Sequence, residues 1–182
     1  MRYSQSLVAK QYAKAYILEF ASSLQWQDIE HMKSVMRFCR RHHTFMSLVS
    51  ELTTKDLKRH VLIDDMFEHF SLPDSLKKLV DIMVVHKRLP LFPSVVQDIC
   101  CLYLEKNNML EVTISTATEL DADELKKFED FFMKLSGKKI ISRVIIDEAL
   151  IAGVRMQSDV LLWEYSIAAR IRLLAQQVDL TS

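Results

Sequence analysis

The segment IDEALIAGVRMQSDV, residues 146–160, decides how the second half of the chain folds. It contains Gly153, one of two glycines in 182 residues, between two apolar stretches. A glycine between strand-forming residues permits a bulge, a sharp bend or the close approach of another backbone. The pair Ser158-Asp159 is typical of a hairpin turn, so strands are predicted over 154–157 and 160–162. This segment therefore interrupts a chain whose pattern is otherwise mostly helical.

The regions on either side of this segment are predicted to form strands and helices that belong to one unit with it. Runs rich in β-branched residues predict strands, and apolar residues at helical spacing predict helices. Asp121 is expected to cap a helix, with Glu124 in the capping-box position and Gly137 as the left-handed residue at its end. The predicted elements are strands over 111–116 and 140–146 and helices over 120–135 and 163–178.

The first half of the chain predicts helices only. Ala9, Ala13, Tyr16 and Phe20 recur at helical spacing, and five more periodic runs follow with short connections. These runs cover residues 26–40, 43–49, a helix capped by Thr53 or Thr54 and ending near 70, one opened by Pro73, and 94–106. The predicted fold is mainly α, with an N-terminal six-helix bundle over 1–106 followed by a small α+β domain over 107–182.

Composition and charge exclude several classes of protein. The 24 basic side chains balance the 24 acidic ones, which argues against a general nucleic-acid binder. Residues 1–106 carry three more basic than acidic side chains and residues 107–182 three fewer, which favours two units with different surfaces. An odd number of cysteines favours a reducing compartment. No stretch is apolar enough to span a bilayer, so direct membrane insertion is not expected.

No catalytic, cofactor-binding or metal-binding residues are predicted. Two glycines cannot build a phosphate-binding loop, and no nucleophile elbow or paired Cys motif is present. Cys39, His42 and His43 lack a second Cys/His pair at zinc-site distance. Extended apolar helix surface on a neutral chain without such motifs instead indicates protein–protein contact.

Four stretches together resemble one family. They are VAKQYAKAYILEFA (8–21), VVHKRLPLF (84–92), VTISTATELDADEL (112–125) and DEALIAGVRMQSDVLLWEYS (147–166). They are similar to the opening helix, a helix junction, a strand-to-helix passage and the C-terminal signature of the delta subunit of F-type ATP synthases, called OSCP in mitochondria. The residues that match the signature are Asp147, Leu150, Ile151, Gly153, Asp159 and Ser166, with Arg170 following at the family's interval.

The chain departs from the family's signature at three positions. Ala152 replaces the first glycine of a pair, Ser158 replaces a glycine, and Glu164 replaces the usual aspartate. These changes keep the charge pattern and are expected to make the hairpin less permissive. They affect the expected backbone geometry of the hairpin but not the resemblance to the family.

The resemblance implies a non-catalytic stator subunit in the peripheral stalk of ATP synthase, supporting the coupling of proton translocation to ATP synthesis. The helical bundle would bind the N-terminal helix of an alpha subunit, and the C-terminal domain would bind the C-terminal helices of the b subunits. The protein would be peripheral, on the cytoplasmic face of the inner, energy-transducing membrane. The implied groove for the alpha helix lies between the first and fifth predicted helices, and some of its positions must be core: Tyr12, Ala13, Tyr16, Leu79, Ile82, Met83 and His86.

A second hypothesis is a helical adaptor or scaffold with a different partner, sharing only the bundle. An enzyme is a distant third. Co-purification with alpha and b subunits would separate the first two, and a bound metal or nucleotide would favour the third.

Overall fold

The structure is a computed structural model that describes residues 2–42 and 57–179. The chain divides into two compact units, Met1–Tyr103 and Leu104–Ser182. The described part of the first unit is helical, and the second combines a four-stranded sheet with helices. The chain is therefore mainly helical with a small sheet.

The first unit contains five α-helices in its described residues. The predicted third helix, 43–49, and the predicted caps Thr53 and Thr54 lie outside the described residues. A 3₁₀ turn, Leu89–Leu91, leads directly into the last helix. The five are α1 (Arg2–Phe20), α2 (Trp26–Arg41), α3 (Leu57–His69), α4 (Asp74–Val85) and α5 (Phe92–Lys106).

A single apolar core joins these helices. Each helix contributes residues three or four apart, as the helical period requires, and Ala9 and Ala13 of α1 are fully buried. Phe92, at the start of α5, is among the largest buried side chains. Burying each large side chain contributes about 1.5–3 kcal/mol before the entropy of ordering the chain is subtracted. α2 supplies Ile29, Met32, Val35 and Cys39 to this core.

The second unit is built around a mixed sheet in the order β2-β1-β3-β4. β1 runs parallel to β2, whereas β3 is antiparallel to both β1 and β4. A 3₁₀ turn, Glu148–Leu150, lies between β2 and β3. The elements are β1 (Met109–Thr116), α6 (Ala122–Ser136), β2 (Lys139–Ile146), β3 (Gly153–Gln157), β4 (Leu162–Ser166) and α7 (Ile167–Asp179).

The predicted ends of α6 are confirmed. The backbone N–H of Asp121 donates to the carboxylate of Glu124 at 3.2 Å, and the reciprocal bond completes the capping box. Gly137 has φ +69° and ends the helix in the left-handed conformation. The helix packs on the sheet through Phe132, which is fully buried with Val112, Ile114, Val154 and Met156.

The prediction for the end of the hairpin was wrong. A strand was expected over 160–162 and a helix from Trp163, but β4 spans Leu162–Ser166 and α7 begins at Ile167. The hairpin loop has four residues, closed by the N–H of Ser158 donating to the carbonyl of Leu161 at 2.8 Å. Pairing with β3 draws residues with a helical pattern into a strand, since tertiary contacts override local propensity.

We expect residues 1–106 to fold without the rest of the chain. The fragment contains the whole apolar core of the helical unit and ends where α5 ends. Its circular dichroism should be strongly helical and its thermal unfolding cooperative. A fragment that is largely unfolded, or that melts without a transition, would contradict the two-domain prediction.

Candidate functional site

Gly153 has no room for a side chain. Its φ is +99°, and a Cβ atom built there would lie 2.1 Å from the carbonyl oxygen of Tyr165 and 2.9 Å from Cα of Ser166. Gly153 pairs with Ser166 at the end of the β3–β4 ladder. The predicted close approach of another backbone is therefore confirmed, and the neighbouring backbone is that of β4.

Glu164 is the centre of a charged network that bridges β3, β4 and α7. Arg155 binds its carboxylate in a bidentate manner, with Nε–Oε2 and Nη2–Oε1 distances of 3.1 and 3.2 Å. The hydroxyl of Ser166 donates to Oε1 at 2.6 Å, and Arg172 of α7 donates to the same oxygen at 2.8 Å. These donors, with Arg155 first, lower the pKa of Glu164 from 4.5 to about 2.

Asp147 extends this network to the 3₁₀ turn. Its Oδ2 lies 3.6 Å from Nη1 of Arg155, while Oδ1 accepts a hydrogen bond from the backbone N–H of Ala149 at 3.1 Å. Leu150 is fully buried one turn later, and Ile151 has φ +65° and an exposed side chain. The turn is thus held by a cap, an ion pair and an apolar anchor.

Ser166 connects the sheet to α7. Besides donating to Glu164, its hydroxyl accepts from the backbone N–H of Ala169 at 3.0 Å, which is the geometry of an N-cap. The backbone N–H of Ile167 donates to the carbonyl of Ala152 at 3.0 Å. The start of α7 is therefore fixed to the segment around Gly153.

The structure brings together only some of the residues taken from the family signature. Gly153 pairs with Ser166, and Asp147 is connected to Ser166 through Arg155 and Glu164. Asp159 is exposed in the hairpin loop and Arg170 is exposed on α7. Sequence reasoning missed Arg155 and Arg172 and regarded Glu164 only as a departure, although these three carry the charged network.

Four of the seven predicted groove residues lie in the core, as was expected of some of them. Ala13, Tyr16, Leu79 and Met83 are buried, because they lie on the helix faces that pack into the first unit. The hydroxyl of Tyr16 is hydrogen-bonded to Ser75 at 2.7 Å, and burial raises its pKa to about 12. These four side chains are not available on the surface for a partner.

The other three groove residues are at least partly accessible. Tyr12 is half-buried and His86 is exposed, and Ile82 is 49% exposed. Lys78, Ile82 and Val85 lie three or four residues apart and so share one side of α4. The amine of Lys78 lies 5.9 Å from the ring centre of Phe20, and the guanidinium of Arg88 lies 5.9 Å from that of Tyr12. We define the α1–α4 surface as Tyr12, Phe20, Lys78, Ile82, Val85 and Arg88.

A second exposed apolar surface lies on α7. Ile167, Ile171 and Leu174 are 45%, 52% and 62% exposed. Their spacing of four and three residues places them along one side of the helix. We call this set the α7 stripe.

Among the residues that the structure describes, no group of His, Cys, Asp and Glu side chains is arranged to hold a metal ion. His43, which was weighed with Cys39 and His42, lies outside that part of the chain. No helix in the described ranges is long and apolar enough to cross a membrane.

Comparison with known proteins identifies the family. The family model described as ATP synthase delta (OSCP) subunit matches residues 8–178. The chain belongs to this family. The match runs from α1 into α7, so it includes both units, the α1–α4 surface and the network around Glu164.

Two relatives and a solved structure match this chain over nearly its full length. The chain is 26% identical to ATP synthase subunit delta of Leuconostoc mesenteroides over 94% of this chain and 95% of that relative. It is 27% identical to the subunit of the same name from Pseudothermotoga lettingae, over 98% and 97%. It is similar in fold to a chain of the Toxoplasma gondii mitochondrial ATP synthase hexamer, with a TM-score of 0.58, 14% identity and 93% and 96% coverage.

The delta (OSCP) subunit is a non-catalytic structural subunit of ATP synthase and a component of its peripheral stalk. As part of this complex the protein is associated with a membrane. The network around Glu164 is accordingly structural rather than catalytic.

Replacement of Gly153 should destabilise the C-terminal unit far more than replacement of the other glycine. Gly153→Val should lower the free energy of unfolding by at least about 3 kcal/mol, because the new side chain meets main-chain atoms of β4. Gly137→Ala is the control: Gly137 has φ +69°, but no atom lies within 4 Å of the position that a Cβ would occupy, so a loss of about 1 kcal/mol is expected. Urea unfolding measures the free energy of unfolding of both variants. Equal losses would contradict the explanation that the side chain at position 153 collides with the backbone of Tyr165.

Glu164→Gln should destabilise the protein in a pH-dependent manner. The folded-state pKa is depressed, so the ionised carboxylate contributes stability above about 4.5, and this contribution is lost as the pH falls towards 2. We expect a loss of about 1–2 kcal/mol at neutral pH, allowing for solvent screening. Unfolding in urea at several pH values should show the two proteins converging in acid. The exposed Glu148→Gln is the control, and a difference independent of pH would exclude the ionic explanation.

Proposed function

We propose that this subunit connects the catalytic head of ATP synthase to the membrane-anchored b subunits through its two units. The N-terminal unit, a six-helix bundle over 1–106, binds the N-terminal helix of an alpha subunit. The α+β unit over 107–182 binds the C-terminal helices of the b subunits. The observation that carries this proposal is the family match over residues 8–178, which includes both units.

The α1–α4 surface supports the alpha-subunit assignment. Ile82 and Val85 are 49% and 68% exposed on one side of α4. The rings of Phe20 and Tyr12, on α1, lie near Lys78 and Arg88. An amphipathic helix gains affinity by laying apolar side chains against such a surface. Lys78 and Arg88 are the basic residues of this surface and favour carboxylates on the polar side of the partner helix.

The α7 stripe supports the b-subunit assignment. It offers apolar side chains at the spacing with which one helix packs against another. The start of α7 is fixed by Ser166 and by the Arg172–Glu164 ion pair, so a helix bound here is held in a defined direction relative to the sheet. A joint that transmits force requires such a defined direction.

A stator must bind its partner subunits tightly and needs no catalytic activity of its own. Rotation of the central shaft exerts torque on the alpha/beta ring, and the stalk must prevent the ring from turning with it. Slowly dissociating helix contacts at both ends of a connector meet this need. The protein would then lie at the cytoplasmic face of the energy-transducing membrane. A helical adaptor with another partner gains no support from the family match.

The two assignments can be tested in one crossed experiment. Ile82→Asp with Val85→Asp should weaken binding of the alpha N-terminal segment by more than about tenfold and leave binding of the b C-terminal segment unchanged. Ile171→Asp with Leu174→Asp should have the opposite effect. Isothermal titration calorimetry measures both. In reconstituted membranes either variant should abolish proton pumping while the detached head still hydrolyses ATP.

Val61→Asp is the matched control, since Val61 is an exposed aliphatic residue on α3, outside both surfaces. It should leave both affinities unchanged. Loss of both partners in either double variant would indicate unfolding, which circular dichroism detects. Retention of both partners in a folded double variant would refute the surface assignment.

A further inference from the structure

A basic pocket lies at the C-terminal end of α2, apart from the residues of the α1–α4 surface. Its volume is about 280 Å³. Five of its lining residues come from α2 and its cap, and one follows α3. We call it the α2 pocket; its lining is Ser34, Arg37, Phe38, Arg41, His42 and Phe70.

Aromatic rings form the apolar part of the α2 pocket. The ring centres of Phe38 and Phe70 are 5.4 Å apart, and those of Phe38 and His42 are 4.7 Å apart, both in tilted arrangements. Both phenylalanines are only half-buried. The exposed part of these side chains can therefore contact an aliphatic or aromatic group of a ligand.

Two guanidinium groups give the pocket its charge. Arg37 donates from Nε to the carbonyl of Lys33 at 3.4 Å and from Nη2 to the hydroxyl of Ser34 at 3.3 Å, which leaves further N–H donors for a ligand. Arg41 lies one helical turn later and is exposed. None of the six lining residues is acidic. Among the described lining residues, an anionic group entering the pocket therefore meets two guanidinium groups and no carboxylate.

The position on the helix selects among anions. Many phosphate sites use the N–H groups at a helix N-terminus, whereas this pocket lies at a C-terminus, where the negative end of the helix dipole opposes a dianion more strongly than a single carboxylate. The N–H of the cap, His42, is already bonded to the carbonyl of Phe38 at 2.9 Å. A carboxylate paired with an arginine fork, next to an apolar group on the rings, suits this arrangement better than a compact dianion.

We propose that the α2 pocket binds an acidic peptide segment, with a carboxylate side chain on Arg37 and Arg41 and a neighbouring apolar side chain on Phe38 and Phe70. This contact is additional to the alpha-helix and b-helix contacts and shares no lining residue with the α1–α4 surface. It therefore stands or falls independently of the proposed function.

The test uses the full-length protein and a fluorescein-labelled peptide of alternating Glu and Leu, with fluorescence anisotropy as the readout. Arg37→Gln with Arg41→Gln should weaken binding by at least about tenfold, since glutamine cannot form the charge-assisted hydrogen bonds to the carboxylate. The matched control is Lys126→Gln with Lys127→Gln, which removes two positive charges of α6. The control should retain the wild-type affinity.

Two competitors define the ligand. A peptide with Gln in place of Glu should bind at least about tenfold more weakly, because it lacks the carboxylates. Inorganic phosphate at matched ionic strength should not displace the labelled peptide. Equal weakening by the arginine and lysine variants, undiminished binding of the Gln peptide, or displacement by phosphate would each overturn the proposal. Circular dichroism verifies that the variants remain folded.

Discussion

The approach of Gly153 to the backbone of Tyr165 is the constraint on which the C-terminal unit depends. A Cβ atom at 2.1 Å from a carbonyl oxygen cannot be accommodated, so only glycine allows β3 and β4 to pair at this end. That pairing places Glu164 opposite Arg155 and brings Ser166 to the first turn of α7. The charged network and the start of the last helix therefore both follow from one position without a side chain.

The two units obtain rigidity and binding surface by different means. In the helical unit a continuous apolar core fixes the helices, and positions such as Ile82 and Val85 remain outside it. α7 instead is fixed at its start by a cap, an ion pair and a backbone hydrogen bond, while its apolar stripe stays exposed. Polar groups thus orient this helix, and its apolar side chains remain available for a partner.

Much of this architecture could be predicted from the sequence, because local signals determined it. The capping box at Asp121, the left-handed Gly137 and the special role of Gly153 all depend on neighbouring residues. The Arg155–Glu164 pair could not be found in this way. A two-residue turn at Ser158-Asp159 would pair Arg155 with Leu162, whereas the four-residue loop moves the register by two and pairs it with Glu164. Which of the groove residues are core could not be determined from the sequence either. Helical spacing identifies an apolar face but cannot tell the buried part of that face, such as Met83, from the exposed part, such as Ile82.

The three departures from the family signature show which of its features are structural requirements. Ala152 is not among the described residues with positive φ, and it contributes its carbonyl to Ile167, so a side chain is acceptable there. Ser158 also lies outside the left-handed region, and its hydroxyl accepts from the N–H of Leu161 at 3.0 Å, which strengthens the loop rather than loosening it. Glu164 is one methylene longer than aspartate and still reaches two arginines and a serine. Where a backbone atom or a carboxylate performs the role, the residue type can vary; at Gly153 the absence of a side chain is itself the requirement.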